Sequence, residues 1–239
     1  MKNVTGMVRK ALQDYQMIEE GDSVAVGLSG GKDSLVLLTA LSELTAYYPV
    51  KFSLCAISID MYDGATDFGN ITEYCEKLGI EHKIVPTQIA NILFKERKEK
   101  NPCSLCAKMR RGILNSTAKE LGCTKVALGH HADDLTETLL LSLIYEGRLS
   151  TFGGVTYLDK TDITVIRPLI LITEKDSRKA SKTMPVLNNP CPANHNTQRE
   201  YVKKLLLEIE KKTKGAKDRM HSAIIEKERA SVFINTYKP

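Results

Sequence analysis

Six consecutive residues, Ser29-Gly30-Gly31-Lys32-Asp33-Ser34, have the types and order to hold an anion. The two glycines remove the Cβ atoms that would keep an anion off the backbone. A helix that starts here leaves unpaired N–H groups and a partial positive charge where Lys32 adds a full one. Phosphate suits such a turn. The spacing is not G-x-x-x-x-G-K-[ST], because no second glycine stands at the required distance before Lys32. The plain alternative is a strand-to-helix turn that uses Gly and Ser for geometry alone.

A second group is Gly129-His130-His131-Ala132-Asp133-Asp134. Two acids in the first turn of a helix complement its dipole, which is worth about 0.3–1 kcal/mol per charge. They also suit Mg²⁺ on a departing pyrophosphate, since Mg²⁺ takes one or two carboxylates with phosphate oxygens. Opposite a phosphate loop, the metal reading is preferred. Adjacent side chains rarely point the same way, so one histidine at most faces a nucleotide, and His130 is assigned that place.

The six cysteines divide into two sets. Cys55, Cys75 and Cys123 fall in or beside predicted elements and read as small buried hydrophobes. Cys103 and Cys106 form a C-x-x-C pair, expected in a loop before a helix, and Cys191 lies in a proline-flanked loop. With His195 the set becomes a closed Cys₃His zinc site; without it, three thiolates suit a [4Fe–4S] cluster with one open iron. A redox pair is the weaker reading, for nothing thioredoxin-like surrounds it.

The elements that must position these groups follow from hydrophobic periodicity. An N-terminal helix over 3–18 leads to a strand, Val24 to Leu28, and then to a helix from the glycine loop to Tyr47. Further strands are expected at 52–60, 83–85, 125–128 and 164–166, with helices at 68–78, 107–121, from Leu135 past Leu143, at 174–184 and at 198–214. This rhythm implies right-handed crossovers and a five-stranded, doubly wound parallel sheet of the α/β class with C-terminal helices. Ligands on such sheets bind beyond the strands' carboxyl ends, where the glycine loop and Asp60 both fall. The expected division is an N-terminal helix over 1–20, an α/β domain over 21–190 and a basic helical extension over 191–239.

The chain has 239 residues, 42% hydrophobic and 26% charged, ordinary for a globular protein. No stretch approaches the ~18 apolar residues of a membrane span, and no apolar signal core follows Met1. A cytoplasmic protein with reduced or metal-bound thiols and no membrane partner is expected. From Thr197 onward there are eleven basic and six acidic residues, so this region carries the whole net charge of +5. A polyanion would lie there.

The hexamer resembles the signature of the PP-loop ATP pyrophosphatases, which split ATP between its α and β phosphates and share an adenine-nucleotide α-hydrolase-like fold. More fully, five segments resemble the tRNA 2-thiocytidine synthetase family over most of residues 20–205. They are Val26 to Ser34, Cys103-Ser104-Leu105-Cys106 running into Arg110-Arg111-Gly112, Gly129-His130-His131-x-Asp133-Asp134, Ile166-Arg167-Pro168-Leu169, and Pro190-Cys191 with Gln198-Arg199.

The resemblance implies an ATP- and Mg²⁺-dependent tRNA thiolase with an oxygen-sensitive [4Fe–4S] cluster on Cys103, Cys106 and Cys191. Nucleotide and metal would be held by Ser29, Gly30, Gly31, Lys32, Asp33, Ser34, Asp60, Gly129 and His130, with Lys32, Asp33, Asp133 and Asp134 in catalytic roles. Expected partners are tRNA, ATP and a sulfur donor such as a cysteine desulfurase or free sulfide, with a homodimer as the assembly to test. Two departures stand out. The family's second C-x-x-C is reduced here to Cys191-Pro192-Ala193-Asn194, and no added RNA-binding domain is expected. Thiolation or desulfuration of a small molecule or free base, and a nucleotide-binding protein with structural zinc, therefore remain alternatives.

Overall fold

A computed structural model describes residues 1–96, 102–187 and 197–226. Among the described residues six strands form one sheet, in the order β3-β2-β1-β4-β6-β5. They are β1 (Asp22–Gly27), β2 (Phe52–Asp60), β3 (Glu81–Pro86), β4 (Lys125–Ala127), β5 (Val155–Leu158) and β6 (Ile163–Ile166). The five expected parallel strands are all there, each parallel to its neighbour. The addition is β5, antiparallel to β6 and joined to it by Asp159-Lys160-Thr161-Asp162, where Asp162 takes a φ of 50°. Its alternating, half-exposed side chains are those of an edge strand, and so short a run gives little periodic signal.

Order in the sheet reverses between β1 and β4, so the crevice for a ligand opens beyond the carboxyl ends of those two strands. The centre of β1, Val24-Ala25-Val26, is wholly buried, as a strand covered on both faces must be. Helix α1 (Lys2–Asp14) packs on α2 (Lys32–Thr45). In α2, Leu35 to Leu38, Ala40, Leu41 and Leu44 are fully buried. The phosphate loop is thus mounted between two of the most deeply buried elements of the chain.

Helix α3 (Gly69–Lys77) crosses from β2 to β3, and α4 (Ile89–Asn91) runs on as a π-helical turn, Ile92–Glu96. Helix α5 (Pro102–Glu120) starts five residues earlier than expected and takes in both cysteines of the C-x-x-C pair, which correct from loop to helix. Pro102 explains the start: its φ is preset for a helix, and its missing N–H would be unpaired there anyway. Helix α7 (Glu174–Ala180) follows β6, with Thr173 as its N-cap accepting from the Asp176 amide.

The chain divides into two compact units, Met1–His131 with Gly153–Asn194, and Ala132–Phe152 with His195–Pro239. The first holds the sheet. The second contains α6 (Ala132–Leu141), which runs on through a π-helical turn, and α8 (Gln198–Lys212) and α9 (Ala216–Ile225), which both pack against α6. Val202, Leu206 and Ala216 are buried in it, while Lys204, Lys211, Lys212, Lys214 and Arg219 are exposed. No described helix is long and apolar enough to cross a membrane.

At the amino ends of β1 and β4 a buried ion pair joins Asp22 to Lys125, with Nζ–Oδ2 at 2.8 Å and both residues under a tenth exposed. Burial alone would raise the Asp22 carboxyl. Hydrogen bonds from Lys125, the Glu19 amide and Thr124, with the Lys125 charge, outweigh it and hold the pKa below its ordinary 3.8. This stabilisation is therefore complete above that value and is lost as pH falls through the lowered one. Lys125→Met strands the carboxylate and is expected to cost about 3–5 kcal/mol at neutral pH. Urea unfolding should show the deficit at pH 7 and a smaller one at pH 3, where Asp22 accepts a proton.

Candidate active site

The phosphate loop folds as its residue types require. Gly30 has a φ of +78°, which favours glycine, and a Cβ there would lie 2.8 Å from Leu187 Cδ1 and oblige that side chain to shift. Gly31 caps α2 in extended backbone. Ser34 Oγ donates to the Gly31 carbonyl at 2.9 Å and lies 3.2 Å from Ser29 Oγ, to which the Gly31 amide donates at 3.3 Å. These bonds hold the turn. On the other side of the crevice Gly129, just past β4, approaches so closely that a Cβ would stand 3.1 Å from Asp33 C and Ser34 N. A methyl group there would push on the backbone that begins α2.

Around Asp33 the structure assembles groups from three parts of the first unit: the start of α2, helix α7 and the turn after β4. Lys32 Nζ stands 2.9 Å from Asp33 Oδ2 and 3.5 Å from Glu174 Oε1. Ser177 Oγ donates to Asp33 Oδ1 at 2.5 Å, and His131 Nε2 is 4.0 Å from Oδ2. His131 is buried and His130 half-buried. Residue pattern singles out neither Glu174 nor Ser177, and of the two adjacent histidines it assigns His130, whereas the one beside Asp33 is His131. The one local signal was the Thr173-x-x-Asp176 helix start that delivers Glu174 and Ser177 on the same turn of α7. In chemical terms the arrangement is a cation, a carboxylate and a set of backbone amides at a helix start, suited to polyphosphate with a divalent ion.

Asp60 ends β2 at 1% exposure, with both carboxylate oxygens engaged by its own loop. They accept from the Tyr62 amide at 3.0 Å, the Gly64 amide at 2.5 Å and Thr66 Oγ1 at 2.5 Å. Burial pushes its pKa up, but these bonds prevail and hold it low. Its placement makes it the organiser of the loop over 61–66.

Cys103 and Cys106 occupy the first turn of α5 at i and i+3, a spacing that puts both thiols on one helix face. Cys103 is exposed and Cys106 half-buried, its thiol 3.6 Å from Met61 Sδ, just beyond β2. Two thiols at the accessible end of a helix fit a shared metal or cluster. Among the described residues no group of three or more potential ligands gathers, since Cys191 and His195 lie outside them. Further along α5 come Arg110 and Arg111. Arg167 donates to the Gly153 carbonyl at 2.7 Å and Thr156 Oγ1 at 3.1 Å. Burial and then the charge of Arg111 pull its pKa to about 10, leaving it cationic at neutral pH.

In the second unit Asp133 and Asp134 open α6, as their helix-start pattern predicts. Lys217 of α9 pairs with the buried Asp133 carboxylate. Arg199 of α8 reaches Asp134 at 3.4 Å and Glu137 at 3.1 Å. Burial, followed by the negative charge of Asp134, raises the Glu137 carboxyl, with Arg199 and Lys203 opposing.

Comparison with known proteins accounts for this combination. Residues 3–209 match the PP-loop domain family. The tRNA-cytidine(32) 2-sulfurtransferase of Aeromonas hydrophila is 40% identical over 227 residues, 93% of this chain and 75% of the relative. Among solved structures, the U34-tRNA thiolase NcsA from Methanococcus maripaludis with its [4Fe-4S] cluster superposes with a TM-score of 0.76 at 28% identity, over 93% of this chain and 76% of that one. An NH3-dependent NAD synthetase from Campylobacter jejuni shares the fold, with a TM-score of 0.51 at 14% identity over 92% of this chain and 91% of that one. The chain belongs to the tRNA-cytidine(32) 2-sulfurtransferase family of PP-loop proteins.

Proposed function

We propose that this protein is a tRNA sulfurtransferase that uses ATP to replace the C2 oxygen of a cytidine with sulfur. The observation that carries the reading is the shared carboxyl edge of one sheet: the phosphate loop leaves β1 there, and Met61, against the Cys106 thiol, leaves β2 there. Around that edge the sequence matches cytidine sulfurtransferases for nearly its whole length.

The carbonyl oxygen of a base is a poor leaving group. Attack of cytidine O2 on the α phosphate of ATP expels pyrophosphate and makes that oxygen part of AMP. Attack of sulfide at C2 then expels AMP, which keeps the oxygen. Lys32 and the amides at the start of α2 hold the phosphates and stabilise charge as it develops on them. Mg²⁺, held at Asp33 or at Asp133 and Asp134, would add positive charge to the pyrophosphate. Ser177 holds the Asp33 carboxylate in place through its 2.5 Å bond.

Cys103, Cys106 and Cys191 would hold a [4Fe–4S] cluster, which when bound supplies an open iron for sulfide, either present free or released from the persulfide of a cysteine desulfurase by a thiol reductant that supplies two electrons. Arg110 and Arg111 of α5 and the exposed lysines of α8 meet the phosphates of the RNA. The assay is direct: protein purified without oxygen, tRNA, ATP and sulfide, with nucleosides read by mass spectrometry. One 2-thiocytidine per AMP is expected. AMP formed with free cytosine or cytidine but not with tRNA would move the activity to a small molecule.

A further inference from the structure

Beside the C-x-x-C helix lies a cleft of about 410 Å³, within the range of small-ligand sites. Met61, Tyr62 and Phe94 give it apolar walls, Asp63 and Gln88 a polar edge, and Lys95 a cation. Two backbone bonds clamp its sides together, from the Asp63 amide to the Thr87 carbonyl and from the Ala90 amide to the Met61 carbonyl, both 3.0 Å. Met61 is also the residue whose sulfur meets Cys106, so one wall is shared with the thiol pair.

We infer that this cleft receives the target base, turned out of a single-stranded RNA loop, and that Asp63 with Gln88 selects cytosine over uracil. This rests on the thiolation reading above. Single-stranded RNA is read by splaying bases onto aromatic side chains and bonding their Watson–Crick edges, and Phe94 and Tyr62 offer such faces. Gln88 Nε2 donates to Asp63 Oδ2 at 3.3 Å, which sets an acceptor-only carboxylate next to an amide donor. Cytosine presents the complement, an N4 amino donor beside the N3 acceptor. Uracil presents the inverse, an O4 acceptor beside N3–H, and its O4 would face the carboxylate. Lys95 is placed for a flanking phosphate.

The decisive substitution is Asp63→Asn. Asp63 has a φ of 55°, a left-handed conformation that asparagine adopts readily, so the turn survives while the acceptor-only group becomes an amide that suits either base. The full chain, purified without oxygen, is titrated with anticodon stem-loops carrying cytidine, uridine or an abasic site at position 32. Wild type should prefer cytidine over uridine by about tenfold or more, and Asp63→Asn should bring the two within about threefold. Phe94→Ala, with exposed Gln88→Ala as a second variant, should weaken the cytidine loop about fivefold or more and leave the abasic loop unchanged.

A wild-type chain that binds none of the loops overturns the RNA reading and the pocket with it. RNA binding with no base preference, or with one that survives the substitutions, overturns the pocket alone. So does weakened ATP binding at unchanged cytidine preference, which would make the cleft the seat of adenine.

Discussion

Lys32→Ala is expected to lower RNA-dependent pyrophosphate release by about 10²–10³-fold, the usual loss when one donor to a developing oxyanion is removed. Its stability should change little. The Lys32 and Asp33 side chains are each a quarter exposed, and partly solvated ion pairs of this kind contribute about 1 kcal/mol or less. The two magnitudes separate the explanations: a large kinetic loss with an unchanged denaturation midpoint places Lys32 on the phosphates. Lys32→Arg should not restore the rate, because a planar guanidinium cannot replace a compact ammonium in a turn closed by Gly30 and Gly31. Unchanged pyrophosphate release in Lys32→Ala would mean that the loop holds no nucleotide.

Cys106→Ser is expected to abolish bound iron and acid-labile sulfide. Wild-type protein purified without oxygen should carry about four of each, with broad absorption near ~400 nm. Cys103→Ser and Cys191→Ala should behave alike, because three protein ligands leave no redundancy. Since Cys103 is exposed and Cys106 half-buried, exchange of sulfur for oxygen removes little packing, and both serine variants should still bind ATP. The measurement is metal and sulfide analysis with the visible spectrum, set beside ATP titration. One zinc and no sulfide in the wild type would make these thiols structural and would require the sulfur to come by another route.

Much of the fold was legible from local pattern. Apolar runs at Val24 to Leu28 and 52–60, separated by a buried amphipathic helix, specify a parallel crossover because each element's buried face is written in neighbouring residues. The Ser29–Ser34 turn was equally plain, since its glycines, lysine and helix start are contiguous. The same holds for Asp133 and Asp134 at the start of α6. Where the signal was shorter than one period, reading failed, as in the four-residue edge strand β5. Helix α5 was misplaced at its start because C-x-x-C patterns usually lie in loops, whereas Pro102 begins a helix and turns the pair into an i, i+3 couple on one face.

What surrounds Asp33 was decided by tertiary structure alone. Ser177 meets it from 144 residues away, and Glu174 reaches Lys32 from the same helix turn. No spacing rule links such residues; only the crossover that sets α7 against α2 brings them together. Likewise, sequence supplied two adjacent histidines, and the backbone direction after β4 sends the buried His131 towards Asp33. Sequence by itself determined the order of elements and the chemistry of each contiguous turn, because those depend on periodicity and on neighbours in the chain. Which distant side chains share one carboxylate depended on how the buried faces packed, an arrangement that residues far apart decide jointly.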